Sequence, residues 1–306
     1  MRKCRLLGRT IHHNWGVMTQ AAAKTGSDPT VLVAIEQLFP KDQRIIDDVL
    51  AYRILPLGVR AYVWLMRFSA ARNWMIRVAD KRFPGIWAGL VCRKRYIDEK
   101  LTESAGQIDA VVNLGAGFDT RVYRLSALAD MPVWEVDQPE IVEPKRARLR
   151  KLFGTVPAHV TLVPIDFDHE ELGPVLAAQG YSGTERTFFI WEAVTQYLTE
   201  TGIQATFDFL AKAARGSRLA FTYVRKDFLD GQAMYGGEAV YKQYVLRDKL
   251  WLFGMAPEEV ENFLGAYGWR LVEHLGYEEL AERYVKPTGR KLVSSPIERM
   301  VYAEKL

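Results

Sequence analysis

The 306-residue sequence predicts an α/β fold: a seven-stranded, doubly wound sheet with an N-terminal helical cap and a lid inserted after strand five. Three observations predict it. From Ala110 onward, short apolar runs alternate with helical stretches, the pattern of a parallel sheet covered on both faces. The run Val111-Val112-Asn113-Leu114 breaks into Gly115-Ala116-Gly117 and is followed by an acid, Asp119, which is the strand–turn–helix start of a Rossmann-like sheet. A second acid, Asp137, ends the next apolar run 20 residues after Gly117, about the offset at which a carboxylate grips ribose hydroxyls.

Taken in order, Asp28-Pro29 caps and opens a helix through Phe39, which Pro40 ends. Helical spacing follows over Gln43–Leu55, Tyr62–Val78 and Ile86–Glu103, with Pro56 and Pro84-Gly85 as breaks. These helices form the expected cap, residues 1–107. The remainder, 108–306, is the expected cofactor-binding domain. Its strands fall at Ala110–Gly115, Val133–Asp137, Val160–Phe167, Thr187–Trp191 and Arg218–Val224. Helices fall between them at Asp119–Ala129, Pro139–Phe153, Glu170–Gln179 and from a Thr199 cap to Ala214. After strand five the alternation lapses into an aromatic-rich stretch, and a lid is expected at about 225–256. A helix over Pro257–Tyr267 and strands at Trp269–His274 and Arg299–Glu304 complete the sheet.

The glycine loop selects the ligand. A dinucleotide fingerprint needs a third Gly or Ala three residues after the second Gly. Here that position is Thr120. Asp119 itself complements the start of the helix, which leaves less reason for a phosphate there. The loop therefore favours a nucleoside-like ligand without phosphate, and S-adenosyl-L-methionine is the common one. Gly115, Ala116 and Gly117 are the expected close approach to it. Asp137 suits its ribose, Asp166 its adenine amine with Phe167 on the ring, and Glu192 either its amino group or a base role toward an acceptor. Each carboxylate competes with a plain helix-capping role, and Asp168 competes with Asp166 for that cap.

Composition excludes other classes. Net charge is +4, and the basic run around Lys145–Lys151 reads as a solvated helix face rather than a nucleic-acid footprint. Cys4 and Cys92 are too few for a disulfide framework or a zinc site, so no metal is expected. No uncharged apolar run reaches a membrane span, and a cytoplasmic location without a membrane partner is expected. The five histidines, including His12-His13, match no catalytic spacing, and no catalytic residue is assigned.

The chain resembles the leucine carboxyl methyltransferase family, and within it the bacterial branch of S-adenosylmethionine-dependent O-methyltransferases similar to the tetracenomycin polyketide methyltransferase. The matching residues are Arg93-Lys-Arg-Tyr-Ile-Asp98, Asn113-Leu-Gly-Ala-Gly-Phe-Asp-Thr-Arg121, Tyr123-Arg-Leu125, Glu135-Val-Asp-Gln-Pro139 with Lys145, Asp166, and Trp191-Glu-Ala-Val-Thr-Gln-Tyr-Leu198. The resemblance implies the methyltransferase form of the fold. It also implies cofactor contacts at Gly115, Asp137, Asp166-Phe167, Glu192 and an arginine of the Arg93 cluster, with Arg95 chosen and Arg93 the alternative. Phe167 stands where leucine is usual and Ala193 where glycine is common. The implied reaction is methyl transfer to a carboxylate or hydroxyl of a small, polyketide-like molecule. The rival readings are a cofactor-binding scaffold without turnover and a nicotinamide oxidoreductase.

Overall fold

The computed structural model describes residues 28–167, 169–292 and 295–306. Cys4, the His12-His13 pair and Asp168 lie outside the described residues. Five helices precede the first strand: α1 (Asp28–Glu36), α2 (Val49–Ile54), α3 (Leu57–Leu65), α4 (Ser69–Arg82) and α5 (Ile86–Ser104). The helix expected over Tyr62–Val78 is two helices, because the chain turns at Met66–Phe68. Buried Val63 and Met75 anchor the pair inward.

The sheet has strands β1 (Ala110–Leu114), β2 (Val133–Asp137), β3 (Val160–Pro164), β4 (Thr187–Trp191), β5 (Arg218–Arg225), β6 (Gly254–Met255), β7 (Trp269–Leu275) and β8 (Glu298–Lys305). Their order is β3-β2-β1-β4-β5-β8-β7, with two-residue β6 pairing beside the end of β5. β1 to β5 are parallel, and β8 runs antiparallel between β5 and β7. The path has the seven strands expected, and β6 is an addition.

Alternation assigns the two faces. Val111 and Val133, with Phe188 and Ile190, join one core with α1 to α5 and with Ile141 and Leu149 of α7 (Pro139–Phe153; α6 is Arg121–Arg124). Val112, Trp134, Phe189 and Trp191 join the other core, covered by α8 (Leu172–Ala178), α9 (Glu200–Leu210) and, further on, α12 (Val260–Ala266). Asn113, Asp137 and Glu192 share the parity of the first set, so the strand ends present them toward the N-terminal helices.

Those helices are fixed by a buried acid. Glu36 is fully buried; Oε1 accepts from Ile45 N (2.9 Å) and Arg290 Nη1 (2.5 Å), and Oε2 from Trp87 Nε1 (2.9 Å). One side chain thus ties α1 to α5 and to the segment before β8. Removing one partner of a buried pair strands the other charge. Glu36→Ala should cost about 3–5 kcal/mol in chemical denaturation, and a loss below about 1 kcal/mol would show that the knot carries no strain.

Candidate active site

The parallel strands end on one cavity of about 450 Å3, within the ordinary range for small-ligand sites. One half is built by the sheet. Gly115 and Gly117 adopt left-handed backbone (φ +70° and +47°), and Gly115 N and Ala116 N both donate to Val136 O. A Cβ on Gly115 would lie 2.3 Å from Val194 Cγ2. The loop therefore needs glycine on two counts. Asp137 Oδ2 accepts from Gly117 N (2.6 Å) and Oδ1 from Gln138 N (2.8 Å). Burial pushes its pKa up despite those donors, so further hydrogen-bond donors at its free lone pairs would be welcome.

Glu192 is the electrostatic centre. Its carboxylate meets Arg93 Nε (2.9 Å), Lys94 Nζ (3.4 Å) and Arg121 Nη2 (2.8 Å). Arg93 also pairs with Glu298 (2.7 Å), Lys94 with Asp119 (3.7 Å), and Arg121 with Asp98 and Asp119. Burial alone would raise the Glu192 pKa, but Lys94, Arg121 and Arg93 together hold it at about 2. Asp119 is likewise held below the usual carboxylate range, against burial, by Arg121 and Lys94. Ala193 follows in left-handed backbone (φ 58°), the conformation glycine favours, and its N–H is anchored on Thr222 Oγ1 (2.8 Å).

The other half is apolar. Leu32, Phe83, Ile86 and Leu90 come from the N-terminal helices, and Val240, Tyr244, Leu250 and Trp251 from the stretch after β5. Tyr244 and Trp251 stack (5.4 Å between centroids), and Phe83 leans on Tyr244 (5.6 Å). Tyr241 does not line the cavity; it packs edge-on against buried Phe228. Tyr277 reaches the cavity because α5 carries Gly89, where a Cβ would sit 1.7 Å from its hydroxyl.

Six of the expected residues, Gly115, Ala116, Gly117, Asp137, Phe167 and Glu192, line this cavity together. Two expected residues, Arg95 and Asp166, do not line it. Arg95 is about 200° around α5 from Arg93 and pairs instead with Glu99 (2.7 Å) on a surface groove. Arg93 and Lys94 face the cavity, as their helical spacing from Ile86 and Leu90 would have indicated. Asp166 is also displaced. β3 ends at Pro164, the chain turns, and the exposed Asp166 carboxylate takes His169 Nδ1 (2.8 Å) outside the cavity. Sequence reasoning missed Asn113, Gln196, Tyr277 and Glu298 as lining residues. Only Asn113, inside the first motif and inward by parity, carried a local signal.

The pocket fits a nucleoside bearing an amino-acid tail. Asn113 Nδ2, Gln196 Oε1 and Glu298 Oε1 are buried without partners and border the cavity. Asp137 offers a carboxylate suited to vicinal hydroxyls, Phe167 an aromatic face, and Arg93 a guanidinium suited to a carboxylate. The loop approaches closely because Gly115 has no side chain.

The comparisons agree with this geometry. The pattern of the leucine carboxyl methyltransferase family matches residues 28–211. The chain is 30% identical over 223 residues to a protein of Mycobacterium avium, with 71% of each covered. It is 27% identical over 275 residues to one of Mycolicibacterium smegmatis, with 87% of each covered. Both are described provisionally as S-adenosyl-L-methionine-dependent methyltransferases. A solved protein of Thermobifida fusca, itself described provisionally as a methyltransferase, superposes with TM-score 0.55 at 18% identity, covering 89% of this chain and 97% of that one. A DUF574-family protein of Streptomyces avermitilis gives 0.55 at 16%, covering 75% and 88%. These two bear on the fold alone. The chain belongs to the leucine carboxyl methyltransferase family. It is a methyltransferase that uses S-adenosyl-L-methionine. Family membership and the relatives argue against both rival readings.

Two tests follow. Gly115→Ala should lower S-adenosyl-L-methionine affinity at least about tenfold in calorimetry, with part of it restored by adding Val194→Ala; unchanged affinity would remove the close approach. The second concerns pH. Glu192 is depressed from an ordinary 4.5 to about 2, so the network's contribution is intact above pH 4.5 and fades as pH falls toward 2. The stability gap between wild type and Glu192→Gln should therefore shrink as the pH is lowered from 6 to about 3. A gap independent of pH would sever Glu192 from the network.

Proposed function

We propose that this enzyme methylates a carboxylate oxygen of a small, apolar, polyketide-like acid or similar secondary metabolite. In this reading residues 108–306 form the cofactor-binding domain, 1–107 its helical cap and about 225–256 its lid. Asp137 holds the ribose, Arg93 the cofactor carboxylate, and Phe167 packs on the adenine. When bound, the cofactor supplies an electrophilic methyl on a sulfonium.

The observation that carries the reading is the chemistry of the second half of the cavity. It is walled by Leu90, Val240, Tyr244, Leu250 and Trp251, and among the described residues no histidine or cysteine lines it. Glu192 and Asp119 are held ionised by neighbouring cations and make weak bases. A carboxylate acceptor needs no base, because it is ionised near neutral pH. The protein's work is then positioning and exclusion of water, which the aromatic walls suit.

A hydroxyl acceptor has one observation in its favour. Glu298 Oε1 is buried, unpartnered and borders the cavity, and could take a hydroxyl proton. Glu298→Gln separates the two readings. Paired panels of aryl or aliphatic acids and phenols would be incubated with enzyme and cofactor, and products identified by mass spectrometry. Methyl esters, released as methanol by alkali and still formed by Glu298→Gln, are expected. Alkali-stable methyl ethers lost in that variant, with kcat down about 100-fold or more, would replace the carboxylate with a hydroxyl.

A further inference from the structure

We propose that the outer faces of α3 and α4 dock on an anionic lipid surface. These faces are apolar where a surface helix is normally polar. Leu57 is 72% exposed, Trp64 48%, Leu65 49%, Phe68 54%, Trp74 62% and Val78 45%. The inward positions of the same helices, Val63, Met66 and Met75, are buried. The exposed set recurs at helical spacing, Leu57, Trp64 and Leu65 on α3 and Trp74 and Val78 on α4, with Phe68 in the turn between, so it is one face of each helix.

Charge identifies the occupant. Along residues 57–82 the exposed cations are Arg67, Arg77 and Lys81, and the only acid in that stretch is Asp80. Arg67 lies over Trp64 (3.7 Å) and Phe68 (4.8 Å), so a cation and two aromatic rings share one patch. Bulky apolar side chains mixed with arginines, with tryptophan prominent, suit a helix lying at a headgroup boundary. A second copy would set this basic face against itself across a two-fold axis. The chain's own residues 1–27 carry Arg2, Lys3, Arg5, Arg9 and Lys24 and no acid, so they too would be repelled. Nucleic acid would leave Leu57, Leu65 and Val78 without stacking partners. Anionic lipid satisfies the arginines and the aliphatic groups together.

The face also leads to the cavity. α4 is capped by Phe83, and Phe83, Pro84, Gly85 and Ile86 line the apolar half. An acceptor dissolved in lipid would meet the enzyme beside those cavity-lining residues. Among the described residues no helix is long and apolar enough to cross a membrane. The absence of a membrane partner was expected on hydropathy, which detects spanning segments and not helices that lie in the surface.

The test is co-sedimentation of the full chain with sucrose-loaded vesicles, without cofactor, so that its outcome is independent of the proposed reaction. Vesicles of phosphatidylcholine alone are compared with phosphatidylcholine mixed with phosphatidylglycerol. Binding at least about tenfold stronger to the anionic vesicles, and weakened by salt, is expected. The double variant Trp64→Glu/Trp74→Glu should lose it, and Arg67→Glu/Arg77→Glu should lose the preference for anionic lipid. Both should keep the melting temperature and S-adenosyl-L-methionine affinity of wild type, because the side chains are exposed and remote from Gly115 and Asp137. No binding, equal binding to neutral vesicles, or wild-type binding by the tryptophan variant each overturns the proposal. A dimer in light scattering that Trp64→Glu/Trp74→Glu dissociates would overturn it in favour of a contact between copies.

Discussion

The site depends on one buried carboxylate, Glu192, shared among three cations. Burying a charge is expensive unless it is paired and hydrogen-bonded. Here Arg93 and Lys94 come from α5, Arg121 from the start of α6, and Glu192 from the end of β4. None of these groups can be left alone without stranding the others. The network extends through Asp98 to Arg124 and Asp48, so α2 is drawn in as well. The N-terminal helices are thereby held on the sheet by charge as well as by the apolar core. A ligand carboxylate entering beside Arg93 would compete with Glu192 and Glu298 for it, so binding must rearrange pairs that already exist.

Strand parity supplies the rest of the cofactor half. Asn113, Asp137 and Glu192 stand on three neighbouring strands, all on the face toward the N-terminal helices. Glu135, two residues before Asp137, shares that face but is sealed beneath it, paired with Lys145 (2.8 Å) and hydrogen-bonded by Tyr123. It is structural support, with Asp137 one step further out at the cavity. This is why Tyr123 and Lys145 appear among the residues that carry the family resemblance, although neither lines the cavity.

Much of this was legible because its signals are local. β1, β2 and β4 are mostly apolar runs ended by glycine or acid, and α7 is bounded by Pro139 and Gly154, so both its limits could be read. Other elements were misread where a side chain overrode propensity. The helix expected over Asp119–Ala129 shrinks to Arg121–Arg124, because Asp119 Oδ1 takes the Arg121 N–H (2.9 Å) and the chain then passes into a 3-10 turn. Arg95 was a choice among three adjacent basic residues that only helical phase could resolve. Tyr277 and Glu298 were invisible for a different reason. They reach the cavity through Gly89 and Arg93, about 190 and 205 residues away along the chain, and no local pattern encodes such a contact.

The two halves of the cavity are mechanically joined over five residues. Glu192 belongs to the charge network. Ala193 is held in left-handed backbone by Thr222, and its carbonyl accepts from Gln196 Nε2 (3.2 Å). Gln196 O in turn accepts from Leu252 N (2.6 Å), in the segment after β5 that carries Tyr244 and Trp251. In the segment after β5, Phe228 and Val240 pack on Val224 of β5 and on Ile297 just before β8, and Tyr241–Arg247 winds as a π-helix, a geometry that recurs at functional sites. The hydrogen bonds from Ala193 through Gln196 to Leu252 connect this segment to the residue beside Glu192. Strain at Ala193 is therefore placed where pairing at the cofactor end and packing at the acceptor end would be felt together.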